Sequence, residues 1–261
     1  MASRAGVSAR SRWFEVTDGS GVFTEHPIKW NDAEVARLWN WYSRTSPYRE
    51  MYFAKRFGAT ILRACTVRLN EPLTILDFGC GPGFLWDHIR QSGAAWRYIG
   101  ADFSPDSTRQ LAERARGDPQ FVAAHFLERL PLPLPEASVD AVFLVEVVEH
   151  VDDNYLEPIL REMQRVLRPG GRLVVTTPNA EDLGAAMRLC PECGAIFHEW
   201  QHVRTWDAAT LTAYAKRFGF APLRVQPYDF YAVNLARLLF NALRRWVNGA
   251  AKPHLLGVFT R

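Results

Sequence analysis

The stretch Ile75-Leu76-Asp77-Phe78-Gly79-Cys80-Gly81-Pro82-Gly83-Phe84 decides the fold of this chain. An apolar run that ends in an aspartate predicts a buried parallel strand that stops at a tight turn. Glycines at alternate positions remove the side chains that would keep a ligand off the backbone, and they allow positive φ angles. The following segment, Phe84 to Arg90, predicts a helix whose free N–H groups face the turn. Together they predict a nucleotide-type pocket at the carboxyl end of a strand.

A second predicted strand, Arg97 to Asp102, narrows the kind of nucleotide. A dinucleotide fingerprint needs the pattern G-x-G-x-x-G, but Phe84 stands at its sixth position, so only G-x-G-x-G is present. Asp102 ends the second strand, where a carboxylate can accept hydrogen bonds from both hydroxyls of a ribose. The pocket is therefore expected to bind a nucleoside-containing cofactor other than a dinucleotide.

Leu76 to Gly83, together with Gly100-Ala101-Asp102-Phe103-Ser104, resembles the class I S-adenosylmethionine (SAM) methyltransferases. The resemblance implies that the Gly79–Gly83 backbone cradles the methionine and ribose parts of SAM, that Asp77 anchors this loop or the amino end of the cofactor, and that Asp102 holds the ribose. The cofactor-binding residues expected from the resemblance are Asp77, Gly79, Cys80, Gly81, Gly83, Asp102, Phe103, Phe126, Leu127 and Glu146.

Many relatives place an acid at the third strand to hold the adenine amino group, and here the pattern departs from theirs. The stretch reads Phe121-Val122-Ala123-Ala124-His125-Phe126-Leu127, with His125 or Phe126 at the expected place. The backbone amides of Phe126 and Leu127 remain candidates for contact with the adenine ring.

The alternation of strand and helix patterns predicts an α/β fold: a Rossmann-like, seven-stranded, mostly parallel sheet with helices on both faces, its last two strands antiparallel. We expect residues 1–70 to form an N-terminal extension and helical lid, and residues 71–261 to form the SAM-binding domain, with a small Cys/His insertion at about 181–205. The strands are predicted at 73–78, 97–102, 121–126, 140–145, 171–177, 223–229 and 255–260. The helices are predicted at 84–92, 105–116, 154–167 and 207–219, with two more after Asn31 or Asp32 and after Ser46, and a hairpin at 13–24.

Composition limits the classes of function. The 261 residues carry 31 basic and 28 acidic side chains, a net charge of +3, which gives no support to a nucleic-acid partner. Four cysteines argue against a secreted disulfide framework and favour the cytoplasm. No run of 18 apolar residues is present, so no transmembrane helix is expected.

The segment after the fourth predicted strand carries Glu146, Glu149 and His150, where open α/β sheets place their substrates. Histidine titrates in the range that a general base needs, so His150 is the first candidate base. The alternative is an imidazole that only orients the loop through a carboxylate. The spacing Glu-x-x-Glu-His also resembles two subfamilies, the quinone-type O-methyltransferases and the small-RNA 2′-O-methyltransferases. In the second, two such glutamates and two histidines hold Mg²⁺ or Mn²⁺, and His202 would be the second histidine here.

A cluster of cysteine and histidine residues suggests another metal. Cys190, Cys193, His198 and His202 have the form C-x₂-C-x₄-H-x₃-H, which offers structural zinc two thiolates and two imidazoles. The alternative is that the two cysteines are reduced surface residues and that His198 and His202 line the active site. His202 cannot readily serve both a zinc ion and the glutamate-based metal.

The apolar segment 231–247 carries three arginines and no acid, which is compatible with an interfacial helix and peripheral membrane contact, although a helix packed on the sheet is the commoner reading.

Taken together, these patterns lead us to expect a SAM-dependent O-methyltransferase acting on a small molecule, whether a quinone-like ring, a sugar or a lipid-linked acceptor. Its expected catalytic residues are His150, Glu146, Glu149 and His202. The alternatives are a metal-dependent RNA 2′-O-methyltransferase and a SAM-binding regulatory protein without catalysis. No oligomeric state is indicated.

Overall fold

The computed structural model describes residues 23–65, 67, 70–231 and 252–261. The strands of this part of the chain are β1 (His26–Pro27), β2 (Thr74–Phe78), β3 (Arg97–Asp102), β4 (Phe121–Phe126), β5 (Val139–Val145), β6 (Leu167–Pro178), β7 (Met187–Leu189), β8 (Ala195–His198), β9 (Ala221–Tyr228) and β10 (His254–Thr260). Its α-helices are α1 (Asp32–Arg44), α2 (Tyr48–Met51), α3 (Phe53–Ala64), α4 (Phe84–Ser92), α5 (Pro105–Arg114), α6 (Asp153–Val166) and α7 (Ala208–Arg217).

Seven strands form the main sheet in the order β4-β3-β2-β5-β6-β10-β9, which confirms the predicted fold class. The pairs from β4 to β6 are all parallel. β10 runs antiparallel to both of its neighbours, β6 and β9. The prediction that the last two strands are antiparallel is therefore right for β10 only, because β9 runs in the same direction as the parallel strands β2 to β6.

The chain reverses its direction of travel across the sheet between β2 and β5. From β2 it moves outward through β3 to β4, and it then returns to place β5 on the other side of β2. At such a reversal the loops after the two central strands diverge and leave a crevice at their carboxyl ends. The glycine loop follows β2 and the Glu146–His150 segment follows β5, so both predicted parts of the site border this crevice.

Both faces of the sheet are covered, which explains why its strands read as continuous apolar runs. One apolar layer lies under α6 and α7 and includes Leu76, Val142 and Leu173. The opposite layer lies under α3 and α4 and includes Ile75 and Phe143. Side chains alternate between the two layers along each strand, so the central strands have no solvent-facing side.

Helix boundaries follow capping signals in the sequence. The side chain of Asn31 accepts the N–H of Glu34 and Glu34 bonds back to the amide of Asn31, which forms a capping box at the start of α1. Asp207 begins α7 in the same way. α6 ends at Val166, and Leu167 already has extended backbone, so Pro169-Gly170-Gly171 is part of the long strand β6.

The insertion predicted at about 181–205 forms its own small sheet. β8 pairs antiparallel with β7 and parallel with β1, which belongs to the N-terminal region. A short 3₁₀ helix, Leu183–Ala186, precedes this sheet. The predicted hairpin at 13–24 lies almost wholly outside the described residues, as does the predicted segment 231–247. No helix within the described ranges is long and apolar enough to cross a membrane.

Candidate functional site

The loop after β2 depends on glycine for its shape. Gly79 and Gly81 both have left-handed backbone, with φ angles of 77° and 51°. A Cβ atom at Gly79 would lie 2.5 Å from Cγ2 of Val147, which follows β5. A side chain at Gly79 would therefore clash with the side chain of Val147, which packs against the loop from the segment after β5.

Asp102 at the end of β3 holds this loop through backbone hydrogen bonds. Its Oδ2 atom accepts the N–H of Gly81 at 2.8 Å, and its Oδ1 atom accepts the N–H of Ser104 at the same distance. Burial raises the pKa of Asp102, although the two backbone hydrogen bonds oppose that effect. Asp102 is the residue that we predicted to bind the ribose, and the hydrogen bonds from Gly81 and Ser104 fix the position of its carboxylate.

Asp77 has a different partner from the one we expected. It is buried, and one of its oxygens accepts the hydroxyl hydrogen of Tyr98, with an O–O distance of 2.6 Å. Burial raises its pKa to about 7, despite the Tyr98 hydrogen bond. Asp77 therefore links β2 to β3 beneath the loop, a role that does not exclude a water-mediated contact with a ligand. The neighbouring Cys80 contributes backbone to the loop, while its thiol is buried and has a raised pKa.

The side expected to bind adenine is partly open. Phe103 and Phe126 are 39% and 49% exposed, so their rings are accessible to a planar ligand. The N–H of Leu127 donates to the carbonyl oxygen of Asp102 at 2.9 Å. This corrects the prediction for the Leu127 amide, because that donor is already used within the protein. Its buried side chain remains the group that could touch the ring.

Glu146 and Glu149 lie at the carboxyl end of β5. Glu146 has left-handed backbone with φ of 52°, and its N–H donates to the carbonyl of Thr176 at 3.0 Å. The hydroxyl of Thr177 donates to Oε2 of Glu149 at 2.9 Å. Burial raises the pKa of Glu146 to about 8 and raises that of Glu149 well above its usual value. One oxygen of each acid, Oε1, is buried and has no hydrogen-bond partner.

His150 and His202 meet beside these acids. Their rings lie 4.8 Å apart, and Glu149, His150 and His202 each present a metal-ligand atom within 4.8 Å of the others. Burial and the neighbouring His202 lower the pKa of His150 well below its usual value. Three of the four residues predicted as catalytic therefore come together. Glu146 is not one of these three ligands, but its carboxyl group interacts with that of Glu149, and its Oε2 atom lies 3.8 Å from Nδ1 of His254.

A second group shares His202 and contains a residue that the sequence analysis missed. Glu181, His198 and His202 also present ligand atoms within 4.8 Å of one another. Oε2 of Glu181 lies 2.5 Å from Nδ1 of His202, and Oε1 lies 3.7 Å from Nε2 of His198. Glu181 stands just beyond the carboxyl end of β6, so a search for acids after every predicted strand could have found it.

The predicted Cys₂His₂ zinc site is not assembled. No group of three metal ligands within the described residues contains Cys190 or Cys193. Hydrogen bonds from the backbone of Cys193 and Glu192, and from the Cys193 thiol, lower the pKa of Cys190, and Cys193 is exposed. The physical reason is that His198 and His202 turn toward Glu181, which leaves the two thiols at the surface turn that precedes β8.

The N-terminal helices cover both parts of the site. The ring of Tyr52 lies against Gly81, with 3.4 Å between its Cε1 atom and the position of a Cβ on that glycine. The rings of Trp39 and His150 meet edge to face at 4.9 Å. Gln201 accepts the indole N–H of Trp39 at 3.1 Å and donates to the carbonyl of His150 at 2.9 Å. These contacts depend on pairings of distant segments, so no local pattern predicted them.

Comparison with known proteins identifies the relatives of this chain. Residues 48–225 match the family model of a methyltransferase domain. The ubiquinone biosynthesis O-methyltransferase of Parvibaculum lavamentivorans is 30% identical over 181 residues, which cover 69% of this chain and 68% of that protein. A probable SAM-dependent methyltransferase of Mycolicibacterium smegmatis is 34% identical over 146 residues, 56% of this chain and 51% of that protein. The first three curated relatives are longer proteins, of which the chain spans 36%, 51% and 41%.

Solved structures show the same fold. A SAM-dependent methyltransferase from Mesorhizobium loti superposes with a TM-score of 0.57 at 21% identity, over 77% of this chain and 96% of that one. The 1,6-didemethyltoxoflavin-N1-methyltransferase of Burkholderia thailandensis, solved with S-adenosylhomocysteine, superposes with a TM-score of 0.58 at 19% identity, over 91% and 93%.

Proposed function

Because this chain belongs to the family of SAM-dependent methyltransferases, we propose that it transfers the methyl group of SAM to an oxygen atom of a small molecule. The observation that carries the proposal is the group of buried Glu149 and half-buried His150 and His202 after the carboxyl end of β5. A hydroxyl group is a weak nucleophile at neutral pH, so an O-methyltransferase gains from a positioned base. The cluster offers several such groups.

The residues of the cofactor side fit SAM. SAM supplies an activated methyl group that already carries its leaving group. The Gly79–Gly83 backbone would lie along the cofactor, and Asp102 would accept hydrogen bonds from its ribose hydroxyls. Phe103 and Phe126 would contact the adenine ring. On the acceptor side, Glu146, Glu149, His150 and His202 would orient the acceptor and take its proton.

A small acceptor agrees with the aromatic side chains of this region. The ring of Trp39 contacts that of Tyr52 at 5.8 Å and that of His150 at 4.9 Å, so aromatic side chains border both the cluster and the loop. Aromatic walls favour a quinone-like ring or the apolar face of a sugar. The named activity of the Parvibaculum relative, ubiquinone biosynthesis by O-methylation, agrees with a ring hydroxyl as acceptor. A lipid-linked acceptor remains within the proposal, as does a cytoplasmic site of action.

The test is transfer of labelled methyl groups from SAM into a native cell extract, which is then separated into organic and aqueous phases. Label in an organic small molecule would support a quinone-like or lipid-linked acceptor, and label in a soluble small molecule would support a sugar. The control is the Asp102→Ala variant, which should transfer nothing at the same SAM concentration. Binding of SAM without label in any fraction would contradict the proposal and favour a regulatory SAM-binding protein.

A metal-dependent RNA 2′-O-methyltransferase is the second candidate, and the same group of residues favours it. One carboxylate and two imidazoles suit a divalent cation, and the unpartnered Oε1 of Glu149 and Nδ1 of His150 are buried lone-pair atoms that an ion would satisfy. An ion there would bind the acceptor oxygen and favour its ionised form. Nuclease-sensitive label that disappears with a chelator and returns with Mn²⁺ would support this candidate. Nuclease-resistant label would exclude it.

A further inference from the structure

Hydrogen bonds fix different tautomers in the two histidines of the insertion, His198 and His202. Nδ1 of His198 accepts two backbone N–H groups, those of Trp200 at 3.3 Å and of His202 at 3.2 Å. A ring nitrogen that accepts hydrogen bonds carries no proton, so the proton of His198 is on Nε2. That Nε2 atom is buried without a hydrogen-bond partner and lies 3.7 Å from Oε1 of Glu181.

His202 has the opposite tautomer, with its proton on Nδ1. Its Nδ1 atom lies 2.5 Å from Oε2 of Glu181. In so close a contact the carboxylate oxygen of Glu181 accepts, so Nδ1 of His202 is the donor. In the neutral ring, Nε2 is then the nitrogen that keeps a free lone pair.

His150 has no carboxylate within hydrogen-bond distance. Its Nε2 atom is 3.8 Å from Oε1 of Glu149, its Nδ1 atom is buried without a hydrogen-bond partner, and its ring also interacts with backbone groups of Gln201 and Trp200. A general base works best when a second group orients it and stabilises the charge that it gains. Of the two imidazoles that meet in the cluster, only His202 has such a carboxylate.

Resting on the proposed function, we propose that His202 is the general base of methyl transfer and that Glu181 and His198 are its positioning residues. The acceptor O–H gives its proton to Nε2 of His202. The acceptor oxygen forms the new bond to the methyl carbon while the sulfonium C–S bond breaks, and the electron pair of that bond remains on sulfur. Glu181 balances the imidazolium charge until the proton leaves to water. The Nε2–H of His198 faces the other oxygen of the same carboxylate, Oε1 of Glu181, at 3.7 Å.

The first test reads the tautomers directly and needs no acceptor. The full-length protein, labelled with ¹⁵N in its histidines and bound to S-adenosylhomocysteine in the presence of a chelator, is measured by NMR. The signals are assigned by their loss in the His202→Gln and His198→Gln variants. We expect His202 to carry its proton on Nδ1 and His198 to carry its proton on Nε2. A His202 with its proton on Nε2 only would overturn the proposal.

The second test measures methyl transfer with labelled SAM and the extract fraction that accepts label. We expect His202→Gln to lower kcat by about 10²–10⁴-fold, the range for loss of a general base, with SAM affinity unchanged. Glu181→Gln should lower kcat by about 10–100-fold, the usual cost of losing a group that orients a functional imidazole. Glu181→Asp should recover part of that loss.

The matched control is Glu199→Gln. Glu199 belongs to the same insertion, and its side chain is 26% exposed against 23% for Glu181, but it pairs with Arg188 at the surface. This variant should keep both the tautomer of His202 and the rate. If His202→Gln keeps the rate while His150→Gln loses it, the base is His150 and the proposal is wrong. If the unaltered protein labels no fraction, the proposed function fails, and the NMR result still decides whether Glu181 fixes His202.

Discussion

The two sides of the site are built on different principles. On the cofactor side, contiguous backbone makes the cradle, and the two carboxylates, Asp77 and Asp102, both have hydrogen-bond donors. On the acceptor side, side chains from β5, the end of β6, the insertion and β10 converge. Of the eight buried side-chain atoms without a partner among the described residues, five belong to Glu146, Glu149, His150, His198 and His254.

Unpartnered buried polar atoms cost free energy, and they tend to persist where a ligand or a reaction uses them. The carboxylates of the cofactor side therefore have their partners within the protein, whereas the acceptor side keeps unsatisfied hydrogen-bonding capacity. Changes on the first side should alter SAM binding, and changes on the second should alter rate or the response of stability to pH.

The largest effect is expected for Asp102→Ala. This change removes the acceptor for the N–H groups of Gly81 and Ser104, and it removes the predicted ligand of the ribose. Hydrogen bonds to a charged group contribute about 1.5–3 kcal/mol each, so the Kd for SAM should rise by about 10²–10³-fold. Isothermal titration calorimetry measures this. An unchanged Kd would mean that the cofactor side is not where we place it.

A smaller loss of SAM affinity is expected for Gly79→Ala. The new Cβ would lie 2.5 Å from Cγ2 of Val147, at a residue whose φ is 77°. Left-handed strain costs roughly 1–2 kcal/mol for a residue other than glycine, and the contact adds to it, so the Kd should rise by about 10–100-fold. The matched control is Gly93→Ala, which has φ of 68° but no atom within 4 Å of the new Cβ. It should lose stability and keep SAM affinity.

Glu146→Gln should change how stability depends on pH. Burial raises the pKa of Glu146 in the folded protein to about 8 from an ordinary 4.5. The folded state thus binds the proton more tightly than the unfolded state, and the free energy of unfolding falls as pH rises between those values. The variant lacks this decline, so near pH 8 it should be more stable than the unaltered protein by about 1–2 kcal/mol. Denaturant unfolding at pH 5 and pH 8 measures the difference, and parallel pH dependence in both proteins would refute it.

The smallest effect is expected for Trp39→Phe, which keeps an aromatic ring against His150 and removes the N–H that Gln201 accepts. A lost hydrogen bond of this kind costs about 0.5–1.5 kcal/mol of unfolding free energy. The control is Trp41→Phe, because Trp41 is 48% exposed. Equal destabilisation of the two variants in denaturant titrations would show that the indole N–H of Trp39 contributes nothing.

The difference between the cofactor side and the acceptor side also explains which features could be predicted from the sequence. The glycine loop, Asp102 and the order of strands and helices follow from local patterns, because glycine spacing, strand-end acids and caps act within a few residues. Glu146, Glu149 and His150 could be placed because they end a recognisable strand. Glu181 could not be paired with His202 in advance, since their contact depends on the path of the insertion. The zinc-ligand spacing has the same weakness: it did not reveal that the two imidazoles turn toward Glu181 and away from the two cysteines.

Gln201 shows how narrowly such a position is constrained. Its φ of 60° suits glycine or asparagine, yet its amide must reach partners 162 and 51 positions away in the chain. Asparagine has the shorter amide side chain; it would relieve the left-handed backbone strain, but its side chain would not reach both partners. Most other long side chains would reach them but lack either the donor or the acceptor. Replacement at 201 therefore leaves both the indole N–H of Trp39 and the carbonyl of His150 without these partners, and a paired replacement at 39 would remove only the first of the two losses.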